Sequence, residues 1–189
     1  MVKSVASVLP LLFLLLSLPR SSEAHGITYI QKVCNRAVKF DNLINYDFCV
    51  NTLQAVPESH KTEIGGLLEI TARLTLQNVT DTTNLIRRLS GLTCDDLLKG
   101  QLLACETQYN LAAIPLRAFS DECVSKTYLG ADKLASIIDH TLECENVLLK
   151  ANSAGVKASG LLSDENNNAK QLASILKALA RFVTKNKQH

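Results

Sequence analysis

Apolar residues recur at helical spacing along most of the chain, and strand-type alternation is nearly absent. The clearest run lies between Asp95 and Phe119. There Leu98, Leu102, Cys105, Tyr109, Ala112, Leu116 and Phe119 step by four and three residues in turn, a continuous seam on one helix face. Asp95 and Asp96 stand at its start, where carboxylates cap a helix and complement its dipole. Pro115 should kink the last turns, because it removes a donor and crowds the preceding turn. A second seam is Leu134, Ile137, Thr141, Cys144, Leu148 and Ala151. A third is Ala169, Leu172, Leu176, Leu179 and Val183, with Ser163 or Asp164 as its N-cap. A fourth falls in residues 59–89, through Ile64, Leu67, Leu68, Thr71 and Leu74, then Leu85, Ile86 and Leu89. Its middle, 77–84, is polar and weakens its continuity. Polar links at about 90–94, 120–127 and 152–163 join the four. Short links make antiparallel neighbours, so an up-down-up-down four-helix bundle is expected over about 59–185.

Residues 28–56 carry two shorter amphipathic pieces, 29–40 and 46–56, around Asp41-Asn42-Leu43-Ile44-Asn45, where Asx residues favour a turn. Cys34 and Cys49 flank that turn, which reads as a helical hairpin clipped by a disulfide. The clip closes a 15-residue loop, worth about 3 kcal/mol in the chain-entropy model. Two helices this short are marginal without it. The whole chain therefore reads as all-α, a hairpin followed by a bundle.

The first residues follow another pattern. Lys3 precedes an apolar run at 8–18 broken only by Pro10 and Ser17, and Ser22-Glu23-Ala24 places small residues three and one before a cut. Residues 1–24 read as a secretory leader cleaved after Ala24, leaving a domain over 25–189. The run is about 11 residues, short of the roughly 20 a membrane helix needs. The product should be exported, to the extracellular space or apoplast or to a vacuole, with no membrane attachment after cleavage.

Export makes the six cysteines candidates for bridges. Cys105 and Cys144 both lie on apolar seams of successive helices, so both point inward, and a bridge between them is plausible. Cys94 and Cys123 bracket a helix of roughly 43 Å, whereas a disulfide needs Cα atoms within about 7 Å. Those two are expected as free thiols, Cys123 buried as a small hydrophobe and Cys94 exposed and able to link chains. Asn78-Val79-Thr80 is a glycosylation sequon, which makes Asn78 a candidate acceptor.

Composition narrows the function. The 189 residues are 47% hydrophobic with a formal charge of +2, which excludes disorder and a nucleic-acid binder driven by bulk positive charge. His140 and Cys144 stand one helical turn apart, but lack the further ligands metal chemistry needs and read as a surface histidine beside a bridge sulfur. Glu143 and Glu145 read as a solvated face. An N-terminal His25 with His60 could in principle hold copper, but the ligand count is too small. Gly65-Gly66 reads as a point of close helix approach rather than a phosphate loop. Asn166-Asn167-Asn168 reads as a short cap or loop. No metal, no cofactor and no catalytic constellation is expected. Such a chain works by its surface.

Several segments, in order, resemble the plant invertase and pectin methylesterase inhibitor family, especially its pollen-allergen-like branch of invertase inhibitors. They are Cys34 with Asn45-Tyr46-Asp47-Phe48-Cys49, then Leu103-Ala104-Cys105-Glu106 with Tyr109, then Glu143-Cys144-Glu145, then Gln171-Leu172-Ala173-Ser174-Ile175-Leu176 where the last helix of the family begins. The resemblance covers about 28–185. It implies the same hairpin and bundle, the bridges Cys34–Cys49 and Cys105–Cys144, and cofactor-free, non-covalent inhibition of a cell-wall or vacuolar enzyme. Invertase-inhibiting members carry a Pro-Lys-Phe element before the helix of the fourth cysteine. The matching stretch here, Ser125-Lys126-Thr127-Tyr128, has the lysine and an aromatic but no proline, and its spacing differs. Lys126 and Tyr128 are thus the target-contact candidates, with acid invertase and pectin methylesterase both open as partners. Two other readings stand beside inhibition: a pollen or storage-type protein that keeps the fold without inhibiting, and a small-ligand carrier.

Overall fold

The computed structural model describes residues 28–125, 131–153, 158 and 160–186. The leader residues, the proposed cut after Ala24, and His25 lie outside them. Among the described residues the regular structure is helical: α1 (Tyr29–Phe40), α2 (Tyr46–Gln54), α3 (Ile64–Leu92), α4 (Asp96–Ser125), α5 (Ala135–Ser153) and α6 (Ser163–Asn186), with 3-10 turns at Pro57–Lys61 and Ala131–Leu134.

Helix α1 starts on a capping box. The Thr28 hydroxyl accepts from the Gln31 amide (3.2 Å), and the Gln31 side chain accepts from the Thr28 amide (2.7 Å). It ends at an Asx turn, where Asp41 Oδ1 accepts from the Leu43 amide at 3.0 Å. Asn45 then caps α2 by accepting from the Phe48 amide at 2.9 Å. Cys34 and Cys49 are bridged across this turn, with Cα atoms 5.8 Å apart. Ile30, Val33, Ala37, Ile44, Val50 and Leu53 are buried beneath it.

Helices α3 to α6 form the four-helix bundle. Each packs on the next in the chain, and α6 closes back on α3. Contacts pair rising positions on α4 with falling ones on α5, so the two are antiparallel. The bridge Cys105–Cys144 joins them with a Cα separation of 4.5 Å, and Gln108 meets His140 one turn on. The α4 seam is the bundle's spine. Leu102, Cys105, Tyr109, Ala112 and Leu116 are fully buried, and Phe119 nearly so. Asp95 caps the helix by accepting from the Leu98 amide at 2.8 Å.

The structure differs from the sequence reading at several points. Helix α3 is continuous through its polar middle, because Thr71, Thr75, Thr82 and Thr83 turn their hydroxyls onto the carbonyls of Leu67, Thr71, Asn78 and Val79, at 2.7–2.9 Å. A back-bonded threonine presents its methyl group to the core, and all four are buried. The segment 57–61 before it is a 3-10 turn, so α3 begins at Ile64 rather than Ser59. Helix α4 runs through Pro115 to Ser125, covering most of the expected link at 120–127. Ser163 and Asp164 fall inside the first turn of α6 rather than capping it, and Asn166, Asn167 and Asn168 are helical. That helix therefore begins eight residues before Gln171. A Cβ on Gly66 would meet the Thr62 side chain at 1.7 Å, so this glycine accommodates its own helix entry, not a neighbouring helix.

The hairpin leans on α6. Phe40 packs edge-on against Phe182 (5.9 Å between centroids), and the Arg36 guanidinium lies 3.9 Å above the same ring. A polar clasp completes the seat. The Asn45 amide donates to Gln171 Oε1 (2.7 Å), Gln171 Nε2 donates to the Leu43 carbonyl (2.6 Å), and Lys177 pairs with Asp41 (2.7 Å).

Candidate functional site

Helix α4 carries the chain to one end of the bundle, where the start of α3 lies beside it. An open groove of about 560 Å³ runs between them, lined by Glu58, Thr62, Glu69, Arg73, Ser120 and Cys123 among others. Cys123 in the groove wall stands two residues before the end of α4 at Ser125, and the next described element is the Ala131–Leu134 turn. Lys126 and Tyr128, the target-contact candidates, belong to the connection between them and lie outside the described residues.

Cys123 is buried at the groove wall and unbridged. Burial, helped by the Glu69 and Glu122 charges, pushes its thiol up to about 12. At ordinary pH it is a protonated, small apolar group and not a nucleophile. Cys94 is exposed and unbridged in the α3–α4 turn. Beside it Leu92 is 80% exposed, the most open large apolar side chain described.

The remaining candidates resolve into structural roles. His140 Nδ1 bonds Gln108 Oε1 at 2.8 Å, and Cys144 is held in its bridge, so the pair offers neither a nucleophile nor two free ligands. Glu145 is paired with Lys170 at 2.9 Å. His60 Nε2 donates to the Gln54 carbonyl at 3.0 Å. Among the described residues no three His, Cys, Asp or Glu side chains gather as a metal site. No described helix is long and apolar enough to cross a membrane. Asn78, the sequon asparagine, sits half-buried in the middle of α3 with its Oδ1 buried and without a hydrogen-bond partner.

Sequence reasoning missed the polar contacts that knit the elements. The Tyr109 hydroxyl donates to Asn166 Oδ1 at 2.8 Å in the bundle interior, and Asn166 is 2% exposed. Burial drives the tyrosine pKa upward; contact with Thr82 opposes this, and the Glu165 and Glu145 charges add to it. A single asparagine flanked by two more at the start of a helix carries no local signal that it faces the core. Asp41 was read only as a turn former. Burial alone would raise its carboxyl, but the hydrogen bond from Lys177, the Leu43 amide, the lysine charge and the Ser174 hydroxyl together hold it below the ordinary aspartate value.

The described residues form a helical hairpin on a four-helix bundle, each clipped by one disulfide. The model of the family Plant invertase/pectin methylesterase inhibitor matches residues 28–179. The chain belongs to this family, whose members are inhibitor proteins. It is 28% identical over 155 residues to a protein of Platanus orientalis named "Putative invertase inhibitor", covering 82% of this chain and 89% of that one. The same name and identity apply to a Platanus acerifolia relative, with 84% of that protein covered. A third relative, from Arabidopsis thaliana, is named "Cell wall / vacuolar inhibitor of fructosidase 2" and is 31% identical over 129 residues, 67% of this chain and 68% of its own.

Proposed function

We propose that this protein is an exported inhibitor that docks non-covalently on a plant carbohydrate-active enzyme, acid invertase or pectin methylesterase. The observation that carries the reading is the family match over nearly the whole helical domain, joined to relatives named as inhibitors of invertase or fructosidase. A hairpin and a bundle each closed by a bridge suit the task, since a rigid surface loses little conformational freedom on binding. In the invertase form of the proposal, Lys126 meets carboxylates in the enzyme cleft and Tyr128 occupies an apolar sugar subsite, both as desolvated anchors. The groove of Glu69, Arg73 and Ser120 near the end of α4 would take the rim of the contact. In the pectin methylesterase form, contacts spread over the bundle. The outward leucines and isoleucine of α4 and α5 (Leu103, Leu111, Ile114, Leu142 and Leu149), all exposed, would then share the load. Removal of the leader after Ala24, and glycosylation of Asn78 before α3 folds, belong to the same proposal.

The test is titration of the oxidised 25–189 chain into each enzyme at mildly acidic pH. Loss of invertase activity, reversed by Lys126→Ala or Tyr128→Ala, supports the first form. Loss of pectin methylesterase activity alone supports the second. A correctly bridged protein that inhibits neither would sink both and favour a pollen or storage-type protein retaining the fold. The carrier reading has less behind it. The groove of about 560 Å³ is open to solvent and charged, whereas a carrier of apolar ligands needs an enclosed apolar cavity.

A further inference from the structure

A second groove, of about 370 Å³, lies where the start of α1 meets the Pro57–Lys61 turn and the entry to α3. This is within the usual range for small-molecule sites. We propose that it binds a sugar carboxylate.

The anionic end of the ligand is set by three features. Thr28 and Gln31 use up two of the first donors of α1, and the Tyr29 and Ile30 amides have no intrahelical partner; both residues line the groove. Lys61, also in the lining, is exposed and has no ion partner among the described residues. Glu63 stands in the same wall. Its charge leaves room for one negative charge on the ligand, which favours a carboxylate over a doubly charged phosphate.

The sugar body is set by the rest of the lining. Ser59 is 1% exposed, yet its hydroxyl has no hydrogen-bond partner, which is uncommon for a buried polar group and marks a place a ligand atom can complete. His60 donates from Nε2 to the Gln54 carbonyl, which fixes the ring and leaves Nδ1 for a sugar hydroxyl, a group that can both donate and accept. Tyr29, 47% exposed, offers a flat ring at the rim on which a pyranose face can stack. A bare anion would use none of these three groups.

The test uses the oxidised, isotopically labelled chain and follows backbone amides by NMR. The ligands are the methyl glycosides of glucuronic and galacturonic acid, their neutral counterparts, and acetate. The acid sugars should shift the amides of Tyr29, Ile30 and residues 59–63 and saturate. The neutral sugars and acetate should bind at least about threefold more weakly, by the strength of an exposed charge pair or a net hydrogen bond. Lys61→Gln should weaken binding by about threefold to fivefold. Ser59→Ala should cost about threefold to tenfold in affinity while leaving the thermal midpoint unchanged or raised, since it removes an unpaired buried hydroxyl. A purely structural serine would not separate those two readouts. Tighter binding of a short uronate oligomer makes the groove a subsite for an acidic polysaccharide; equal binding makes it a site for the free sugar acid. Both sources fit the proposal. Equal binding of neutral and acidic sugars, equal binding of acetate, unchanged affinity in Ser59→Ala, or no shifts at all would each overturn it. None of these readouts uses invertase or pectin methylesterase, so this proposal and the inhibitory reading fail separately.

Discussion

The hairpin and the bundle are each closed by one disulfide and share one apolar core, yet the hairpin leans more on directional polar contacts. The bundle is a packed apolar object. Its seams on α4, α5 and α6 bury one side chain per turn, and even the threonines of α3 satisfy themselves on their own helix and give the core only methyl groups. The buried residues of the hairpin run on into the bundle's core, and at its edge the hairpin is also tied to α6 by an aromatic contact and a polar clasp through Asp41, Leu43, Asn45, Gln171 and Lys177. Apolar burial is non-directional and scales with area, so it makes the bundle cooperative. The clasp is directional, depends on charge, and should open by itself before the bundle does.

The largest effect should come from the bridges. Replacing Cys105 and Cys144 by serine should cost about 4 kcal/mol, and Cys34 with Cys49 about 3 kcal/mol, from the lengths of the loops they close. Denaturant unfolding should show the first as a loss across all helices. Hydrogen exchange should show the second chiefly in α1 and α2. Comparable exchange losses in α4–α6 from both pairs would erase the distinction between the regions. Next, Leu116→Ala should cost about 3 kcal/mol by leaving a cavity in the bundle spine. Its chemical denaturation midpoint should fall with the cooperativity kept. A smaller loss, about 2 kcal/mol, is expected for Tyr109→Phe, which leaves Asn166 buried without its donor. Asn166→Leu in the same background should recover part of it.

The smallest effect, about 1 kcal/mol, belongs to Asp41→Asn, and it should depend on pH. The folded carboxyl titrates below its ordinary value of 3.8. The stability it contributes is therefore complete above that value and lost as pH falls through the lower folded one. Thermal melts should show Asp41→Asn less stable than the parent near neutrality, with the gap closing in strong acid. A gap that widens on acidification would show that the carboxylate costs more in burial than Lys177 returns.

How much of this was legible follows the same division. Seam positions were readable because a helix face repeats locally, and α1, with its flanking turn, is set by residues within a few positions of one another. The bridge between Cys105 and Cys144 was suggested because both lie on seams. Elements were misjudged where a residue's local preference and its role diverge. The threonines in the middle of α3 look polar but bury, and Asn166 looks like a loop residue but accepts from a tyrosine 57 positions away. The clasp was invisible for the same reason, since Asn45 and Gln171 are 126 residues apart and neither carries a periodic signal. The contact candidates Lys126 and Tyr128 came from family resemblance rather than periodicity. The groove between α3 and α4 could be seen only once the two helices were placed together.

The bridge between α4 and α5 has a consequence for proteolysis. Its two cysteines lie on opposite sides of the connection that carries Lys126 and Tyr128. A protease that cut the chain there would not release two pieces. The halves would stay covalently joined through Cys105 and Cys144, with their helices still packed. One nick between α4 and α5 would then spare the scaffold, so a damaged molecule would persist as an intact-sized protein until its disulfide was reduced.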